Sequence, residues 1–153
     1  MTERHYLAEK DCWRISGLTD AGAFFGAVMQ LLPEATHIFL EGSPDRDIVA
    51  LLSNHRDDVE YGAPTGTLWS WPRENRFAVR PSAALFHELS AAAAHHAEPE
   101  ICSHLHFYRD GEPLAQWFDA FADPLLVSKS IPRERVEQFA QAAGGTVAEA
   151  ERR

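Results

Sequence analysis

Cysteine is nearly missing from this chain. Cys12 and Cys102 are the only two, ninety positions apart and outside any Cys-x-x-Cys pair. That excludes a disulfide framework and fits thiols kept reduced in a cytoplasm. Basic residues are scarce as well: 14 Lys and Arg stand against 23 Asp and Glu, a formal charge of −9. A field of that sign repels phosphate backbones and anionic lipid headgroups, which argues against nucleic acid and membrane surfaces as partners. Long apolar runs are absent too. No stretch approaches the ~20 apolar residues that span a bilayer, and the opening "MTERHYLAEKDCWRISG" lacks the hydrophobic segment of a secretory signal. No internal repeat and no low-complexity tract is found.

What is present is ordinary globular material, 45% hydrophobic and 24% charged over 153 residues, enough for one domain with its own core. We therefore expect a single domain over 1–153, structured from 13 to 143, with 1–10 and 146–153 frayed. The Ala and Arg content is that of a GC-rich bacterial genome, and the expected location is cytoplasmic.

Periodicity supplies the elements. "WRIS" at 13–16 reads as a strand. Thr19 stands where an N-cap would open a helix whose stripe is Phe24, Phe25, Val28, Leu31 and Leu32, ended by Pro33. "THIFLEGS" at 36–43 is a mostly buried strand, and "SPDRDIVALLSNH" a helix with Ser43 as cap, Pro44 in the first turn, and Asp45 and Asp47 at the positive end of its dipole. Residues 56–81 form a long connection with one strand near 76–80. Ser82 caps a further helix carrying Leu85, Leu89, Ala92 and Ala93, ended by Glu98-Pro99. Two strands joined by Asp110-Gly111 follow, then "PLLVSKS", then a helix from Pro132 with Val136, Phe139, Ala140 and Ala143 inward and Gly144 after its end. The expected fold is α+β: a mixed β-sheet with helices packed on it, opening like a crossover unit and closing in an antiparallel meander followed by a helix.

The hairpin holds the candidate chemistry. Asp-Gly demands positive φ at both central residues of a two-residue turn. That register sets Arg109 opposite Glu112, Phe107 opposite Leu114, His106 opposite Ala115, His104 opposite Trp117, and Cys102 opposite Asp119. Alternation then gives a core face with Leu105 and Phe107, and a second face with Cys102, His104, His106, Trp117 and Asp119. A metal there is disfavoured, because Cys102 and His106 stand about 13 Å apart along a strand and no second close-spaced ligand pair supports them. A nucleophilic site is disfavoured too, since neither an elbow motif nor a phosphate loop occurs. His95 and His96 are expected at a helix C-terminus, where partial positive charge meets the dipole. No metal or cofactor is expected, and folding should need none.

The connection "YGAPTGTLWSWPRENRF" carries Trp69 and Trp71 among turn residues, as a lid over the core or as contact anchors. The expected binding residues are therefore Trp69, Trp71, His104, His106, Trp117 and Asp119, with no catalytic residue assigned. With motifs for chemistry absent and acidity and aromatic loops present, the expected function is non-catalytic: an inhibitor-like or immunity-like protein that masks a basic partner. The alternative is a small enzyme or ligand-binding protein using the His104, His106, Trp117, Asp119 face.

Overall fold

The Asp110-Gly111 turn is an exposed hairpin tip at one end of the sheet. Its φ values of 48° and 90° are those the two-residue hairpin requires, and it joins two central strands of a seven-stranded sheet. A computed structural model describes residues 6–42, 44–60, 63 and 75–150 of the chain. In chain order the strands are β1 Cys12–Ser16, β2 His37–Gly42, β3 Asn75–Val79, β4 His104–Arg109, β5 Glu112–Trp117, β6 Leu125–Ser128 and β7 Thr146–Ala150. The helices are α1 Ala21–Leu31, α2 Arg46–Ser53, α3 Ala83–Ala92 and α4 Arg133–Ala143. Across the sheet the order is β3-β2-β4-β5-β6-β1-β7.

The α+β domain expected from the pattern is what forms. Every neighbouring pair of strands is antiparallel, so the opening β1-α1-β2 crossover does not make a parallel pair. β1 and β2 run the same way, but β4, β5 and β6 lie between them. All four helices feed one core with one face of the sheet: Phe24 and Val28 of α1, Ile48 of α2, Leu85 of α3 and Phe139 of α4 meet Ile15, Leu40, Leu105, Phe107 and Trp117. Each such side chain contributes roughly 1.5–3 kcal/mol of transfer free energy. Gly144 ends α4 in the left-handed conformation, at φ 88°.

Local ends differ from expectation where a specific bond decides. Asp20, not Thr19, caps α1, accepting the Ala23 N–H at 3.0 Å. Asp45 stands at the start of α2, its own N–H bonded to Glu100 O at 2.8 Å; Ser43 lies outside the described residues. α3 stops at Ala92, and His95 and His96 belong to the turns after it rather than to its last turn. Residues 146–150, expected as a frayed tail, form β7 because they pair with the whole of β1. Residues 6–10 are not frayed either. Leu7 lies in a short 3₁₀ turn, packs with Cys12 and Leu126, and donates its N–H to Gln116 Oε1 at 2.6 Å. This N-terminal strap crosses the face of the sheet that bears no helix.

Candidate functional site

That helix-free face carries an unusual row of buried polar side chains. Glu41 of β2, His104 and His106 of β4 and Gln116 of β5 are all buried. Gln116 is fixed at both ends, accepting from Leu7 and donating through Nε2 to the Tyr108 hydroxyl at 3.0 Å. Arg76 of β3 reaches Glu41 from the rim, Nε to Oε2 at 3.4 Å.

A one-residue shift in the hairpin sorts the expected site residues. Arg109 does pair with Glu112, and Tyr108 then pairs with Pro113. Proline has no N–H to give the ladder, so the strand bulges. Leu114 becomes the extra residue, Phe107 faces Ala115, and Leu105 faces Trp117. Trp117 is thereby turned to the helix side, within 4.8 Å of the Phe24 ring centroid and donating its indole N–H to Asp123 O. It does not share a face with the histidines. Asp119 is exposed and meets His104 only through its main chain, while Cys102 belongs to the helix-side core. Trp69 and Trp71 lie outside the described residues. Of the six expected binding residues, His104 and His106 stand together, and Phe118 packs on both.

Their tautomers follow from the main chain. The Trp117 N–H donates to His106 Nδ1 at 3.3 Å, and the Asp119 N–H to His104 Nδ1 at 3.1 Å. A neutral imidazole whose Nδ1 accepts carries its proton on Nε2. The rings lie parallel, 4° apart in plane and 6.5 Å between centroids. His104 Nε2 is 3.9 Å from Glu41 Oε1, and His106 Nε2 is buried with no hydrogen-bond partner among the described residues. Burial, seconded by His104, pushes the His106 pKa down to about 3. Burial likewise pushes the Cys102 thiol up to about 12 and the Tyr108 hydroxyl up to about 12. At Nε2 the two imidazoles thus offer N–H donors rather than lone pairs, which suits these nitrogens neither to ligate a metal nor to act as a general base. One concavity of ≈ 350 Å³ lies away from this face, between Leu52, Arg56 and the β3 edge, and one of ≈ 170 Å³ lies beside it, lined by Arg14, Asp123, Leu126 and the outer side of Phe118.

Comparison with protein-family models, with curated proteins and with solved structures finds no match.

The second feature is electrostatic. The loops leaving β1, β2 and β5 and those entering β4 and β6 meet at one end of the sheet, since neighbouring strands alternate in direction. Asp20, Asp45, Asp47, Glu100, Asp119 and Asp123 are exposed there, with Arg46 the one exposed Arg or Lys of those loops among the described residues. Three of these acids surround His96: Asp45 at 3.5 Å, Asp47 at 3.9 Å and Glu100 at 3.4 Å. At the opposite end acids and bases pair with each other, as Glu34 with Arg135, Glu149 with Lys129, and Asp57 with Arg80. The acidic excess is thus greater in the loops of the first end, although the exposed Arg76 also stands there at the start of β3. Sequence reading placed acids on α2 but could not gather them with Glu100 and Asp119, because strand order brings those loops together.

Proposed function

We propose that this is a non-catalytic binding protein of the inhibitor or immunity type, working in a bacterial cytoplasm, that masks a basic surface of another protein with the acidic end of its sheet. The observation that supports this reading is the gathering of exposed carboxylates in the loops of one end, where Arg46 is their one exposed Arg or Lys among the described residues, while several acids of the other end pair with Arg and Lys. Carboxylates gathered with few Arg or Lys among them present a negative potential that steers a cationic partner and rejects anionic ones. Chemistry has less support. Burial pushes the Cys102 thiol up to about 12, far from the reactive thiolate, and makes His106 a weak base at about 3, and Trp117 lies on the other face of the sheet from the histidines. The test is a pull-down from native lysate at low and high salt, with the wild type and with an Asp45→Asn/Asp47→Asn/Glu100→Gln/Asp119→Asn variant. A basic protein should be retained by the wild type at low salt, lost as the ionic strength shortens the Debye length below about 10 Å, and not retained by the variant. No partner at any salt, or one retained equally by the variant, would overturn the reading.

A further inference from the structure

His104 and His106 share a feature that the proposed function does not use. Each spends its Nδ1 lone pair on a main-chain amide, and the two amides, Trp117 and Asp119, are alternate residues of the segment that leaves the sheet. An imidazole that accepts a proton becomes a donor at both nitrogens. Since Nε2 already carries a hydrogen, the incoming proton must take Nδ1, where it would point at the amide N–H it formerly accepted. Both amide–imidazole anchors are lost by the same chemistry, while the Ala120 N–H just beyond them keeps its bond to Ser103 O at 2.8 Å.

The segment is also poised to move. Asp119 and Phe121 hold φ values of 51° and 70°, a left-handed backbone that is costly for a bulky side chain. Phe118, between Trp117 and Asp119, lies on both imidazoles and carries Tyr6 stacked at 6.3 Å. Tyr6 leads to Leu7, whose hold on the sheet is a small apolar cluster and the bond to Gln116. We propose that Phe118 and Asp119, with the N-terminal strap over them, form an acid-released latch: protonation of His104 and His106 at Nδ1 expels the Trp117 and Asp119 amides and lifts the latch off the helix-free face.

Among the described residues, the titratable and charged groups around the pair include Glu41 of β2, Arg76 of β3, Tyr108 of β4, Asp119 of the turn and Tyr6 of the strap, with Arg14 of β1 and Asp123 on the far side of Phe118. Glu41 offers the charged His104 a counter-ion. The charge felt by His106 is that of His104, of like sign, so a doubly protonated pair repels itself inside the closed face. Water reaching the opened face relieves both costs. The core side of the hairpin need not follow, because the Trp117 indole stays packed between Phe24 and Phe121.

Amide hydrogen exchange resolved by residue tests the latch. After correction for intrinsic rates, protection at Leu7, Trp117 and Asp119 should fall about tenfold to a hundredfold for each pH unit below about 6.5, as one or both protons are taken up on opening, while core amides such as Leu40 and Phe107 do not follow. In a His104→Asn/His106→Asn variant, Asn Oδ1 can accept the same amides without titrating, and the acid response should vanish. Should that variant not fold, imidazole ¹⁵N shifts of the wild type decide. They should show the proton on Nε2 at pH 7.5, with Nδ1 becoming protonated as Trp117 protection is lost. Latch amides that track the core at every pH, an unchanged response in the variant, or a proton on Nδ1 at pH 7.5 would each overturn the proposal.

Discussion

Acid should weaken this fold through His106 in a way that can be separated from every other titrating group. Burial holds the pKa of His106 down to about 3 in the folded chain, against about 6.5 for an unfolded histidine. As pH falls, the unfolded chain therefore binds the proton first. The stability that depends on a neutral His106 is complete above about pH 6.5 and drains away from there down to about 3. Each pH unit in that window is worth about 1.4 kcal/mol, so the step from pH 7 to pH 5 removes up to about 2 kcal/mol. Urea unfolding followed by tryptophan fluorescence at the two pH values measures this, with linear extrapolation at each. The wild type should lose about 2 kcal/mol more than His106→Asn, because titrations common to both chains cancel in the difference. A loss that levels off before pH 5 is expected if the latch opens ahead of global unfolding, since an opened, hydrated histidine titrates normally. Parallel curves for wild type and variant would refute the claim that His106 is kept neutral by its burial.

Two further substitutions probe the packing. Gly42→Ala should cost about 1–3 kcal/mol, because a Cβ at Gly42 would stand 2.7 Å from the Ser103 amide nitrogen and force β2 and the entry to β4 apart; a thermal melt should show a Tm lower by roughly 3–10 °C, and an unchanged Tm would count against that close approach. Trp117→Ala should cost about 3–5 kcal/mol in urea, as a fully buried ring between Phe24 and Phe121 is lost, whereas a cost under about 1 kcal/mol, as for exposed positions, would return Trp117 to the surface face that simple alternation gave it.

Much of the architecture follows from local rules that operate within a few residues. The stripe of Phe24, Phe25, Val28 and Leu31 faces the core as its 3.6-residue period demands, and Asp110-Gly111 makes its turn because the required φ values are cheap there. Long-range pairing is a different matter. "TVAEA" has no strong β propensity, and it becomes β7 because Gly144 reverses the chain beside β1, which has a free edge to fill. Likewise, residues 6–10 are ordered by Gln116, a partner more than a hundred positions away.

The candidate site depended on register, and register is unforgiving: a shift of one residue sends a side chain to the other face of the sheet. The signal for that shift was in the chain. Pro113 is the second residue of β5, and an interior strand tolerates proline only at its start or at a bulge. Counting the bulge moves Trp117 to the core and leaves the His104–His106 pair facing Gln116 and Phe118. Glu41, next to the apolar run Ile38–Leu40, is a second such signal, because a carboxylate within a buried strand must be met by partners on neighbouring strands. Here Arg76 and His104 meet it. A polar row of this kind is costly to bury and replaceable by apolar residues, so its presence beneath a turn whose Trp117 and Asp119 amides rest on two imidazoles fits the proposed release better than a purely structural role.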